Sequence, residues 1–188
     1  IDEKLNEIDV EFSLSPERVT ATTQIIEGWG FKWFNNGKLR YEIDYTVKLP
    51  RSSSVDLKND YGTILLNTLD GRAKISCDYG KLVLGDLNHE NNQLSFDYNS
   101  NSTIDFIRGG EIRADYSGFE VLEAGTISLQ ADYTNSNFNT LENLEFSNDY
   151  GKLKIDQINI LRGKGDYLTL RVGTLYKKLD LNQEFGSI

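Results

Sequence analysis

The sequence predicts an all-β fold: a parallel β-solenoid of about seven to eight short coils, preceded by a cap of antiparallel strands. Three observations predict it. An Asp-Tyr pair returns at Asp60-Tyr61, Asp78-Tyr79, Asp97-Tyr98, Asp115-Tyr116, Asp132-Tyr133, Asp149-Tyr150 and Asp166-Tyr167, with an altered copy at Glu184-Phe185. The aromatic positions therefore lie 18, 19, 18, 17, 17, 17 and 18 residues apart, a short and regular period that marks stacked repeats. Before each aromatic, apolar residues alternate with polar ones, and after it comes a turn-forming residue.

The first 50 residues do not keep this period. Ile8-Val10-Phe12, Val19 to Ile26 and Leu39 to Leu49 read as strands, and Asn35-Asn36-Gly37 is a hairpin signal between the second and third. This region, 1–50, is expected to cover the first coil, because an open solenoid end is a pairing edge. Within it Trp29, Phe31 and Trp33 share one strand parity beside the Asn-Asn-Gly turn. They read as core, and as the best binding-site candidate if they are exposed.

Residues 51–188 carry the coils. Four positions before each aromatic stand Leu57, Ile75, Leu94, Ile112, Leu129, Phe146 and then Gly163. Two before stand Asn59, Cys77, Phe96, Ala114, Ala131, Asn148 and Gly165. These columns are expected to stack as a shared core, with Tyr on the same inward parity and Asp pointing out. The residue after Tyr (Gly62, Gly80, Asn99, Ser117, Thr134, Gly151, Gly186) is expected to take the positive φ of the turn. A second short strand follows (Ile64 and Leu66, Leu82 and Leu84, Leu153 and Ile155), then an apolar position eight after the aromatic: Leu69, Leu87, Phe106, Ala124, Leu141, Ile158 and Leu175. One extra residue near Ser102 is expected to explain the 19-residue interval and to bring Ile104 and Phe106 into line. Propeller blades and helical repeats need longer units of about 33 residues or more, so the solenoid is what fits. The last columns run up to Phe185 and Ile188, which reads as a piece of a longer protein with an open end able to self-associate.

The formal net charge of −9 excludes a nucleic-acid footprint, and no apolar run approaches a membrane span. The single Cys77 reads as a small buried side chain. His89, the only histidine, lies in the polar loop Asn88-His-Glu-Asn-Asn92 without visible catalytic partners. No catalytic set and no cofactor motif is present. Seven Asp at equivalent positions form a ladder of like charges that invites Ca²⁺. Single carboxylates one coil apart cannot supply six to eight oxygens, however, so no specific site is expected; Asp97, Asp115 and Asp132 are the candidates if one exists. Each Asp is expected instead to accept backbone N–H groups of the turn that follows it.

Three stretches resemble the bacterial adhesin-like β-strand-repeat family of extracytoplasmic proteins. They are the lead-in Tyr41-Glu-Ile-Asp-Tyr-Thr-Val-Lys-Leu-Pro50, the first turn Val55-Asp-Leu-Lys-Asn-Asp-Tyr-Gly62, and the run of Asp-Tyr-Gly-like turns. The resemblance implies a right-handed solenoid exported to the cell envelope; the residues themselves read as a non-enzymatic binding or scaffold module, for which a protein or glycan surface is the expected kind of partner. The resemblance carries no catalytic residues or ligand. A carbohydrate-active β-helix enzyme and an envelope-stress sensor are the competing readings, and corners this short leave little to wall a catalytic cleft.

Overall fold

The structure is a computed structural model that describes residues 8–15, 18–25 and 43–188. The chain divides into two compact units, Ile1–Val47 and Lys48–Ile188.

In the first unit, β1 (Ile8–Leu14) and β2 (Val19–Ile25) form an antiparallel pair with Ile8 opposite Ile25 and Leu14 opposite Val19. Ser15 and Arg18 close the hairpin with reciprocal backbone bonds of 2.8 and 3.3 Å. Residues 43–49 contain no strand, which corrects the expected third strand over that stretch. Neither the Asn35-Asn36-Gly37 turn nor Trp29, Phe31 and Trp33 fall within the described residues.

The second unit is a parallel β-solenoid of about eight turns built from β3 (Val55–Asp60), β4 (Thr63–Leu66), β5 (Ala73–Asp78), β6 (Lys81–Leu87), β7 (Asn92–Asp97), β8 (Ser102–Asp115), β9 (Gly118–Asp132), β10 (Asn135–Asp149), β11 (Lys152–Asp166) and β12 (Thr169–Glu184). Among the described residues there is no helix. Alternation with period two buries one face of each strand, and the buried faces of successive coils meet in one core. The expected column is present: Leu57 pairs with Ile75, Ile75 with Leu94, Leu94 with Ile112, Ile112 with Leu129, Leu129 with Phe146 and Phe146 with Gly163. Gly163 does not close it, because it pairs in turn with Leu181, which packs against the core; glycine stands at 163 for a steric reason. A Cβ there would lie 2.4 Å from the Phe146 ring, which fills the space a side chain would need.

In the regular coils the pairing skips two positions, 122 and 125, 139 and 142, 156 and 159. The chain bends at these soft corners, leaving Ala124, Leu141 and Ile158 buried between them. The third corner is the sharp one at Asp-Tyr. The coil thus has a ladder edge, at the tyrosines, and a far edge, at the soft corners.

Pairing also locates every extra residue relative to a 17-residue coil. One lies at 70–72, because Leu69 pairs with Leu87 while Ala73 pairs with Val55. Two lie at 88–91, between the pairs Leu87–Ile107 and Asn92–Gly110. One lies at 176–177, where the register shifts between the pairs Ile158–Leu175 and Ile160–Lys178. The last is Asn101, left-handed at φ 57°. The 19-residue interval is therefore explained by the 88–91 loop, and Asn101 belongs to the next coil. Asn101 does bring Ile104 into line with Val121, but the residue opposite Ala124 is Ile107; Phe106 is only half-buried.

Candidate functional site

Tyr61, Tyr79, Tyr98, Tyr116, Tyr133, Tyr150, Tyr167 and Phe185 all have positive φ, between 51° and 64°. The residue after each has none. This reverses the expected geometry in two ways. A left-handed residue flips the strand parity, so the ring turns outward and the following residue turns inward. Asn99, Ser117, Thr134 and Leu168 are accordingly buried. A left-handed non-glycine residue costs roughly 1–2 kcal/mol. Glycine would avoid that cost but has no ring, so the aromatic must be offset by what it adds.

What it adds is a stack. Successive ring centroids lie 4.8–5.3 Å apart with interplanar angles of 2–15°. Eight rings at the coil rise form a strip roughly 35 Å long. Each aromatic pair contributes about 0.5–1.5 kcal/mol beyond the area it buries, the same order as the backbone cost. The six inner rings are 47–52% exposed, whereas Tyr61 and Phe185 are 78% and 76% exposed. The difference is the one ring face left open at each end. Along the strip, ring edges and hydroxyls face solvent while faces cover one another.

Two side-chain columns pin this corner. On the outside, the Oδ1 atoms of Asp78, Asp97, Asp115, Asp132 and Asp149 accept the N–H of the next coil's Asp at 3.2, 3.2, 3.0, 3.1 and 2.8 Å. The carboxylate therefore satisfies a neighbouring coil, one repeat away, rather than its own turn as expected. On the inside, Asn99 Oδ1, Ser117 Oγ and Thr134 Oγ1 accept the N–H of Gly80, Asn99 and Ser117 at 2.7, 3.0 and 3.1 Å. The Tyr N–H itself bonds the next coil's Asp carbonyl, as from Tyr98 to Asp115 at 3.0 Å. Each coil therefore holds its neighbour from both sides of the αL residue.

The electrostatics follow the stacking. Partial burial between neighbours, then the charges of adjacent Tyr and Asp, raise the phenols of Tyr79, Tyr116 and Tyr150 above their usual range. Burial raises the Asp97 carboxyl, and the nearby Asp115 and Asp78 add to this against the pull of the Asp115 N–H. Among the described residues five ion pairs form, and none uses a ladder carboxylate. Even Arg113, two residues from Asp115, turns to Glu111 at 2.8 Å.

The other candidates do not assemble a site. Asp97, Asp115 and Asp132 are neighbours in the ladder, but among the described residues no group of three or more His, Cys, Asp or Glu converges to hold a metal. Cys77 is buried with Sγ 3.8 Å from the Gly62 carbonyl, and burial raises its thiol pKa. His89 Nδ1 accepts the Asn91 N–H at 3.0 Å and helps close the 88–91 loop. A shallow depression of about 280 Å³ lies beside the last ladder positions, lined by Ser147, Asp149, Lys164, Gly165, Asp166, Asn182 and Glu184. Among the described residues no helix is long and apolar enough to cross a membrane.

Comparison of the chain with protein-family models, with curated proteins and with solved structures gives no match in any of the three.

Proposed function

We propose that the chain is a non-enzymatic, adhesin-like binding or scaffold module displayed outside the cytoplasm, and that its ladder edge is the working face. One observation carries the reading: a row of eight aromatic side chains stands about half-exposed or more, at a conformational cost, on the most regular part of the molecule. Exposed contiguous aromatic surface of this extent marks an interaction site in a folded protein. A continuous strip suits an extended or repetitive partner better than a compact substrate. The resemblance of Tyr41–Pro50, Val55–Gly62 and the Asp-Tyr-Gly turns to extracytoplasmic adhesin-like repeats supports the placement outside the cytoplasm.

The test is binding of chain-coated beads to arrayed glycans and cell-surface proteins, with a Tyr116→Ser/Tyr133→Ser variant alongside. The reading expects a subset of the array to be bound and that binding to fall in the variant. Silence across the array, or depolymerisation of an arrayed polysaccharide, would contradict it.

A further inference from the structure

We propose that the ladder edge binds linear polyamines, chains of ammonium groups separated by short alkyl runs; this deepens the reading of that edge as the binding face and rests on it. The argument starts from the exposed ring strip. Its accessible surface is ring edge and hydroxyl, because the faces are covered by neighbouring rings at 4.8–5.3 Å. A flat sugar or planar aromatic needs a free face. Along the strip one exists only at the ends. A narrow row of ring edges leaves room for a methylene chain laid along it with its charges in water, as lysine stems lie along apolar surface.

Charge then selects the occupant. The residue before each ring is acidic in every coil, from Asp60 to Glu184. No basic side chain of the described residues neutralises that row by an ion pair. In five of its members one oxygen already accepts a backbone N–H, which leaves the second carboxylate oxygen for a ligand. A chain of net charge −9 attracts cations to such a strip over a distance.

Spacing decides between kinds of cation. Two ammonium nitrogens joined by three methylenes lie about 5 Å apart, four bonds of roughly 1.5 Å each advancing somewhat less than their length. That equals the coil repeat, so one ammonium meets each carboxylate and each propyl run passes one ring edge. A basic peptide laid along the strip presents same-side residues about 6.7 Å apart. It falls out of step within two or three coils.

The probes are a tetraamine with three-carbon spacers, a tetraamine of equal charge with six-carbon spacers, and Ca²⁺, each titrated calorimetrically into the whole chain at fixed ionic strength. The variant is Asp115→Asn/Asp132→Asn. Asparagine keeps the Oδ1 acceptor for the next coil and removes the charge, and the pair leaves no run of four carboxylates in the ladder. The expected result is that the three-carbon tetraamine binds about tenfold tighter than the six-carbon one, and that the variant loses about tenfold. Equal affinity for both tetraamines, or an affinity unchanged in the variant, would overturn the proposal and reduce the effect to diffuse charge. If neither tetraamine binds while array binding still depends on Tyr116 and Tyr133, the polyamine inference fails and the binding-face reading stands. In-register tetraamine binding with a silent array would remove the adhesin-like reading and keep the strip.

Discussion

The two edges of the solenoid obey different rules. At the far edge coil length varies: one extra residue at 70–72, two at 88–91 and one at 176–177. Local contacts absorb them. Asp70 Oδ1 accepts from Asn88 Nδ2 at 2.8 Å and Arg51 Nη2 at 3.1 Å, and Asn88 in turn accepts from Arg108. At the ladder edge every coil repeats an acidic residue, a left-handed aromatic and an inward position after it, at constant spacing. Only Asn101 intrudes nearby, and it loops out through its own positive φ without moving the ring of Tyr98 from the stack. The difference shows where the fold tolerates variation and where each coil is tied to both neighbours. A far-edge loop can lengthen cheaply because loop entropy grows slowly with length. A ladder residue is bonded on both sides, so displacing one breaks contacts in three coils.

The largest effect that would break this picture lies beneath both edges. Ile112 is fully buried in the column shared by all the coils. Ile112→Asp buries an unpaired charge and should cost roughly 3–5 kcal/mol in urea or thermal unfolding, enough to unfold a marginal domain. An unchanged melt would refute the column.

Insertion tests the comparison itself. One glycine added within 88–91 should cost under about 1 kcal/mol. The same glycine between Asp132 and Tyr133 should cost several times more, because it interrupts the Asp132–Asp149 bond and two ring stacks. Equal losses in denaturant melts would show that the ladder edge is no more constrained than the far edge.

A smaller effect separates the ring from its backbone. Tyr133→Ala keeps the left-handed cost and loses both stacks, for a loss of roughly 2 kcal/mol. Tyr133→Gly loses the same stacks and relieves the backbone, so it should be about 1 kcal/mol more stable than the alanine variant. The reverse order in chemical denaturation would contradict the left-handed assignment. The smallest contrast concerns the carboxylate. Asp132→Asn keeps the acceptor for the Asp149 N–H and removes like-charge repulsion, so stability should change by less than about 0.5 kcal/mol. Asp132→Ala leaves that N–H without its partner and should cost about 1 kcal/mol.

These contrasts also show what was legible in the sequence. The repeat period and the inward columns from Leu57 to Gly163 and from Cys77 to Gly165 could be read directly, because strand alternation holds up to the Asp. It fails one residue later. Tyr is left-handed there, and a tyrosine in that conformation has no sequence signal comparable to glycine. Parity counting therefore carried Tyr inward and hid the ladder. A clue was available in the next column, where Asn99, Ser117 and Thr134 stand among glycines: these can accept a hydrogen bond inside a corner as readily as they can occupy a turn. The buried column six residues before the ring (Ala73, Asn92, Ile127, Leu144 and Leu161) is harder to read because Asn92 and Gly110 interrupt its apolar run. Phe106 misled for a different reason, since Asn101 shifts its neighbour Ile107 into the core. For the site, the repeat period is enough to place Asp97, Asp115 and Asp132 in one column, and the pairing has Asp97 opposite Asp115 and Asp115 opposite Asp132. The bond each makes to the next coil depends on register and could not be read from one repeat.

The outward, unbroken row of phenols is the central claim, and a spectrophotometric titration of tyrosine tests it most directly. In the fold the phenols of Tyr79, Tyr116 and Tyr150 are held above the usual value of 10.0, by partial burial first and by neighbouring charges second. Their neutral form is thus favoured when folded. That contribution to stability is fully present below pH 10 and is lost as pH rises through the raised values. The account predicts that the part of the phenolate absorbance owed to Tyr79, Tyr116 and Tyr150 develops above the usual range, reversibly, while far-ultraviolet circular dichroism stays folded through its first part. Tyrosines that ionise only when the fold is lost, in one step coincident with the dichroism, would mean that the rings face inward, and the ladder edge would cease to be a surface.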